Sequence, residues 1–195
     1  MQRGPVDVAG LPGPLIAFNS RYQNLGETIV RGLDAELRHR ILLSGAGMLT
    51  AAVTGNYVDS YKNSPNKGED LVEYNGTYNQ PRVRAAASVT WDYRSFSITP
   101  SINYVGAFKL IGTPYDQCAV EGIGYDDACR IKAWTTVNLF TSWQPIKGLR
   151  LSLQVRNLDD RQPPLDANQP TSMFNSVYHN PYGRYYTFGV TYKFW

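Results

Sequence analysis

No stretch of the chain holds about 18 consecutive apolar residues, so a membrane-spanning helix is excluded. That exclusion does not reach β-barrels, whose spanning strands need apolar residues only at alternate positions and keep the mean hydropathy low. Cysteine is confined to Cys118 and Cys129, and histidine to His39 and His179. Two thiols without a nearby histidine cannot complete the four ligands zinc prefers, so no metal site is expected. A net charge of +3 is small and scattered, and no basic stripe interleaves with stacking aromatics; nucleic acid is not an expected partner. Residues 1–13 carry Gly4, Pro5, Gly10, Pro12 and Gly13 but no charged stretch leading into an apolar core, so they form no secretory signal and read as irregular. Gly45-Ala46-Gly47 lacks the third glycine and following helix of a nucleotide-binding loop. The acids Asp116, Glu121, Asp126 and Asp127 do not match calcium-loop spacing and read as a solvated loop face. Asn75-Gly76-Thr77 matches a glycosylation acceptor but reads more simply as a turn.

What is abundant is aromatic: 13% of residues, with 14 tyrosines, a composition that favours strands. The stretch 183–195 shows the pattern best. Tyr186, Phe188, Val190, Tyr192 and Phe194 share one parity, and Thr187, Gly189, Thr191 and Lys193 the other. Aromatic rings near both ends of an apolar face, with a smaller aliphatic residue between, suit a strand whose rings sit at two water–lipid interfaces.

Alternation recurs upstream. Leu33, Ala35 and Leu37 oppose Asp34 and Glu36; Val83, Ala85, Ala87, Val89, Trp91 and Tyr93 oppose Arg82, Arg84, Ser88, Thr90 and Asp92; Leu149, Leu151, Leu153 and Val155 oppose Arg150, Ser152, Gln154 and Arg156. The spacing predicts about eight strands, at 15–22, 28–38, 41–57, 82–93, 96–108, 131–144, 149–158 and the final stretch. Pro100 falls inside the fifth and predicts a bulge or local break, because it cannot donate to a ladder. In the sixth, Val137, Leu139 and Trp143 face out and Thr136, Asn138 and Ser142 in, with Phe140 against the pattern. Tight links at His39-Arg40, Arg94-Ser95 and 145–148 alternate with long polar connections at 58–80, 110–130 and 159–182. With the C-terminus periplasmic, all three tight links fall on the periplasmic side and all three long loops outside, leaving only 24–27 as a short outer connection.

The final strand resembles the closing strand of bacterial outer-membrane barrels, with Gly189, Tyr192, Phe194 and Trp195 in the places of the C-terminal assembly signal. Val155-Arg156-Asn157-Leu158-Asp159-Asp160, a Pro-rich loop and Gly183-Arg184 resemble the closing hairpin of TonB-dependent receptors, and residues 31–37 resemble an earlier strand of the same family. The resemblance implies an all-β fold: residues 14–195 as an antiparallel transmembrane barrel segment of about eight strands, part of a larger barrel of about 22. It also implies a C-terminal piece of a longer chain in which a signal, an energy-coupling box and a plug domain come first. Location would be the bacterial outer membrane. Partners would be outer-membrane lipid, the barrel-assembly machinery and a small nutrient ligand such as a ferric siderophore, cobalamin or carbohydrate, with the plug domain and TonB coupling complex in the full-length protein. No catalysis and no cofactor are implied.

Within that frame Asp34, Glu36, Arg82, Arg84, Arg150 and Arg156 would line a wet lumen and meet the plug. Cys118 and Cys129 lie in one outer loop with ten residues between them. An exported chain can oxidise such a pair, which is worth about 3 kcal/mol. The alternative is a self-contained eight-stranded outer-membrane structural or adhesion barrel. A barrel enzyme using His179 near the outer rim has no partner at fixed spacing to support it.

Overall fold

The computed structural model describes residues 2–6, 13–17, 26–66, 68–77, 80–110, 129–166, 169 and 171–194. Among the described residues every regular element is a strand. In chain order these are β1 (Gln2–Arg3), β2 (Leu15–Ala17), β3 (Glu27–Leu43), β4 (Gly47–Ser64), β5 (Val72–Glu73), β6 (Val83–Tyr93), β7 (Phe96–Val105), β8 (Phe108–Lys109), β9 (Arg130–Ile131), β10 (Trp134–Ile146), β11 (Leu149–Arg156) and β12 (Tyr185–Tyr192). Seven long strands make one antiparallel sheet in the order β12-β11-β10-β7-β6-β4-β3, with β5 added to the outer part of β4. Successive long strands are thus neighbours, the meander expected of an up-and-down barrel wall. Strand β1 pairs with β2, so the N-terminal residues read as irregular contribute a short ladder.

The sheet is open. Its end strands, β3 and β12, do not pair with each other, although a self-contained barrel would need that ladder. Nor does a second layer cover it: among the described residues, each strand contacts only its ladder neighbours. Leu33 is 65% exposed, Leu37 68%, Phe188 77% and Val190 73%, values incompatible with a soluble sandwich, where one face of each sheet is buried on the other. Leu149, Leu151 and Leu153 are half-buried, while Val155, laddered between Leu139 and Tyr186, is buried.

Besides shorter shifts, with the strand expected over 96–108 ending at Val105 and the one expected over 131–144 starting at Trp134, three boundaries differ from the sequence expectations. The first tight link is not at His39-Arg40, which continue β3 opposite Ala51 and Thr50. It lies at 44–46, where the Ala46 N–H donates to Leu43 O at 2.9 Å. Gly45 and Gly47 have φ of 76° and 92°, a region glycine enters without steric cost and residues such as His39 and Arg40 enter only under strain. A Cβ on Gly47 would lie 2.1 Å from Asp92 O. Next, the connection expected from residue 58 begins as strand: β4 runs on to Ser64, and β5 lies within the remainder. Lastly, Pro145 belongs to β10, at a register shift between Trp143 and Ile146, so the turn itself narrows to Lys147-Gly148.

Pro100 sits in an unbroken β7. Its pairing with Leu139 of β10 is regular, but on the β6 side the ladder skips from Ser88↔Ser101 to Trp91↔Ile98. The register sum is the same on both sides of the gap, so the missing N–H removes rungs without inserting a residue. Thr90 and Thr99 close part of the gap through their hydroxyls, 2.9 Å apart.

Candidate functional site: the polar face and its outer cap

Ladder register fixes which side chains share a face, because opposed residues project to the same side. Asp34 opposes Asn56, which opposes Arg84; Glu36 opposes Thr54, then Ala86, Asn103 and Thr136 in turn. Farther on, Gln154 opposes Thr187, Ser152 opposes Gly189, Arg150 opposes Thr191 and Arg156 opposes Tyr185. Phe140 lies on this face too, opposite Gln154.

The other face is mainly apolar, interrupted by His39, Thr135 and Thr141. Trp91, Tyr93, Phe96, Trp143 and Tyr192 lie toward the short turns, and Tyr57, Tyr104 and Tyr186 toward the opposite end. Val53, Ala87, Ile102, Leu139 and Leu153 come between. The rings at the turn end interlock. Trp91 stacks on Tyr93 at 5.7 Å and meets Phe96 edge-on, while its indole N–H donates to Ala46 O at 2.8 Å. An apolar ring body with one polar tip satisfied at the sheet's end is what a membrane interface selects. At 11 residues, β6 has the length a tilted strand needs to cross hydrocarbon.

Beyond the aromatic end, three connections fold into a cap. Within the first, Asn75 is buried and its Nδ2 donates to Val58 O and Asp59 O, where the β3–β4 register shifts. This asparagine of the glycosylation-like triplet is therefore a structural tie with no room for a glycan. Glu73 accepts from Ser60 Oγ and from the Tyr61 and Asn75 N–H groups, which hold its carboxyl below the usual range. The second connection contributes β8 and β9, pairing Phe108 with Ile131, and Lys109 N donates to Gly76 O of the first. The third brings Tyr178 and His179. Phe108, Leu110 and Ile131 form a buried cluster on which Tyr178 packs; His179 stacks on Phe108 at 6.3 Å and meets Trp134 edge-on at 5.2 Å. Tyr178 also sits under the Arg84 guanidinium, 5.9 Å from its ring centroid, so the third connection bends inward over the polar face.

The motif 155–160 explains how that connection is held. Asn157, at φ 51°, receives and returns hydrogen bonds with Arg161, and its N–H donates to Asn138 Oδ1 at 2.9 Å. Asp160 Oδ1 accepts from Arg184 N at 2.7 Å, tying the two ends of the loop together. Asparagine tolerates this left-handed conformation better than most residues, a signal visible in the sequence without its meaning.

Of the residues singled out from sequence, Asp34, Glu36, Arg84, Arg150 and Arg156 fall on the polar face. Arg82 precedes β6, and its side chain lies against Gly76 of the first connection, because Arg82 O is held by Val58 N at the strand's outer end. Gly189 leaves room for Ser152, whose Oγ would be 2.5 Å from an added Cβ. Tyr192 and Phe194 pack edge-to-face at 4.9 Å. Trp195, Cys118 and the acids 116, 121, 126 and 127 lie outside the described residues. Cys129 is buried and disulfide-bonded.

Among the described residues no hydrogen-bonded relay reaches His179. Neither ring nitrogen makes a well-formed hydrogen bond, and burial pushes its imidazole below the ordinary value, with the Asn175 carbonyl only partly offsetting this. A histidine whose folded pKa is depressed stabilises the fold above its unfolded value of about 6.5 and loses that contribution as pH falls toward the folded value. Acidification from pH 7.5 to 5 should therefore loosen the cap and raise protease cleavage within 171–184 severalfold. His179→Phe, which keeps a ring without a proton site, should flatten that response; an equal response in both proteins would remove His179 as its cause.

A two-faced antiparallel sheet with aromatic ends, an uncovered apolar side and loops gathered at one rim defines the class: the wall of a transmembrane β-barrel. A family model, TonB dependent receptor-like, beta-barrel, matches residues 2–158, and the chain belongs to that family. Its members are receptors and transporters of the bacterial outer membrane, not enzymes, and that membrane is this chain's location. Among solved structures, a mutant of the ferric enterobactin receptor of Pseudomonas aeruginosa superposes with a TM-score of 0.55 at 21% identity, covering 85% of this chain and 22% of that one. Cyclomaltodextrin glucanotransferases of Niallia circulans and Bacillus sp. (strain 6.6.3) are each 30% identical over 79 residues, 40% of this chain and 11% of theirs. The chain thus spans a small share of the proteins it matches.

Proposed function

We propose that the chain, from residue 14 to 195, is one arc of a larger barrel in a TonB-dependent receptor that takes up a scarce nutrient of the siderophore, cobalamin or carbohydrate class. The observation that carries this is the open sheet with one lipid-suited and one polar face. In hydrocarbon an unpaired strand edge leaves backbone groups unsatisfied at several kcal/mol each, so β3 and β12 call for further strands. On this reading Asp34, Glu36, Arg84, Arg150 and Arg156 face a lumen where a plug domain sits, and the cap forms part of the outer mouth. Gly189, Tyr192, Phe194 and Trp195 address the barrel-assembly machinery, and the TonB coupling complex drives import. The test is accumulation of labelled candidate nutrients by cells with and without the full-length gene, each with and without functional TonB. Uptake that needs both supports the reading; uptake indifferent to TonB overturns it.

Within the same proposal, Cys129 pairs with Cys118. Reduction, or Cys118→Ser, should then release about 3 kcal/mol of loop constraint, read as faster proteolysis between 110 and 130 with the sheet intact. Non-reducing peptide mapping that finds Cys118 free would end this assignment.

A further inference from the structure

The third connection and the polar face enclose a cleft of about 380 Å³, within the range of small-molecule sites. Arg156 lines it, exposed on the face, with its guanidinium carbon 5.7 Å from the Tyr185 ring centroid. A guanidinium held over a ring keeps N–H edges for a planar, bidentate acceptor. No carboxylate lines the cleft, and the nearest in sequence, Asp159 and Asp160, accept from Val137 N and Arg184 N. Among the described residues no carboxylate pairs with Arg156, and the Arg84 guanidinium over Tyr178 adds a second positive charge at the cleft's edge.

Its remaining polar groups are donor-rich. Asn138 commits Oδ1 to Asn157 N, and Asn180 commits Oδ1 to Tyr182 N, which leaves the NH2 group of each without a hydrogen bond among the described residues. Gln154 and Asn103 add amides with no side-chain partner there. An acceptor-rich ligand satisfies such a surface, and several hydroxyls can both accept from and donate to the amides, while the Tyr185 and Tyr178 rings offer apolar walls. The acids Asp34 and Glu36 line an adjoining cleft, which shares Asn103 with this one.

We propose that this cleft is a binding subsite for a small anionic, hydroxyl-rich ligand of the sugar-acid kind, with the carboxylate on the Arg156 guanidinium and the hydroxyls on Asn138, Gln154 and Asn180. The inference rests on the receptor reading above and adds to it the class of ligand.

Glucuronate is the probe, with glucose and glucosamine as neutral and cationic controls, titrated by calorimetry into the detergent-solubilised full-length receptor. Glucuronate should bind at least tenfold tighter than either control. Arg156→Gln should abolish that preference, and Arg156→Lys, which keeps the charge but not the fork, should restore only part of it. The heat-sensitive shift of the folded barrel in gels confirms that each variant is assembled. Absence of glucuronate binding, equal binding of the three sugars, or a preference unchanged in Arg156→Gln overturns the subsite. TonB-dependent uptake of the nutrient, scored separately in cells, separates the two failures: uptake without a glucuronate site leaves the receptor reading standing, and loss of TonB dependence sinks that reading whatever glucuronate does.

Discussion

Phe108→Ala should destabilise the outer cap by about 3 to 5 kcal/mol while leaving the sheet assembled. Phe108 is 2% exposed and touches two other stretches of chain at once: its ladder partner Ile131, and the adjacent Tyr178 at 5.9 Å and His179 at 6.3 Å. Truncation removes apolar burial and leaves a hole that β8 and β9, only two residues each, are poorly placed to close. It also strips the stacked ring from a histidine whose nitrogens lack partners, opening that site to water. The cap is the only place where the outer connections bury a cluster among the described residues, so its loss should be local. Limited proteolysis of outer-membrane vesicles should show cleavage within 171–184 rising by orders of magnitude, with the heat-sensitive gel shift of the folded barrel unchanged. If the cap stays protected, the cluster is not what holds the three connections together.

That cap marks where reading the sequence stopped. A period of two is local information, and it located every long strand from β3 to β12 and sorted Asp34, Arg84 and Arg156 onto one face. The cap depends on Phe108 meeting Ile131 across 22 intervening residues and then Tyr178 much later, and no periodicity connects such positions. Turn placement failed for a different reason. Arg38, His39 and Arg40 put three polar residues between Leu37 and Ile41, which reads as a link, yet a turn is set by backbone conformation, and Gly45 and Gly47 supply it. At Pro100 the missing donor was foreseen correctly, but not that one neighbour would lose rungs while the other kept them. Asn157 and Asp160 stand out in the sequence as part of a motif; only the hydrogen bonds to Arg161, Asn138 and Arg184 show that they close the base of a loop.

Leu153→Arg and Ser152→Arg, adjacent on β11, should differ by about 2 to 4 kcal/mol in assembly free energy, with Leu153→Arg the costlier. Leu153 is laddered between Thr141 and Phe188 and shares the apolar face with Ile98, midway between the two aromatic ends. An arginine there places a guanidinium near the middle of the hydrocarbon, where its distance from either interface limits relief by snorkelling. Ser152 lies one residue away on the polar face, between Ser142 and Gly189, and the missing side chain at 189 leaves space for a longer one. Because the two sites share a strand, the flanking strands and nearly the same depth, the comparison largely cancels strand propensity and charge and retains facing. Folding titrations into lipid vesicles, or the folded fraction in cells, would measure the difference. Equal tolerance of the two arginines would mean that the apolar face meets something other than lipid, and the lumenal place of Arg156 would fall with it.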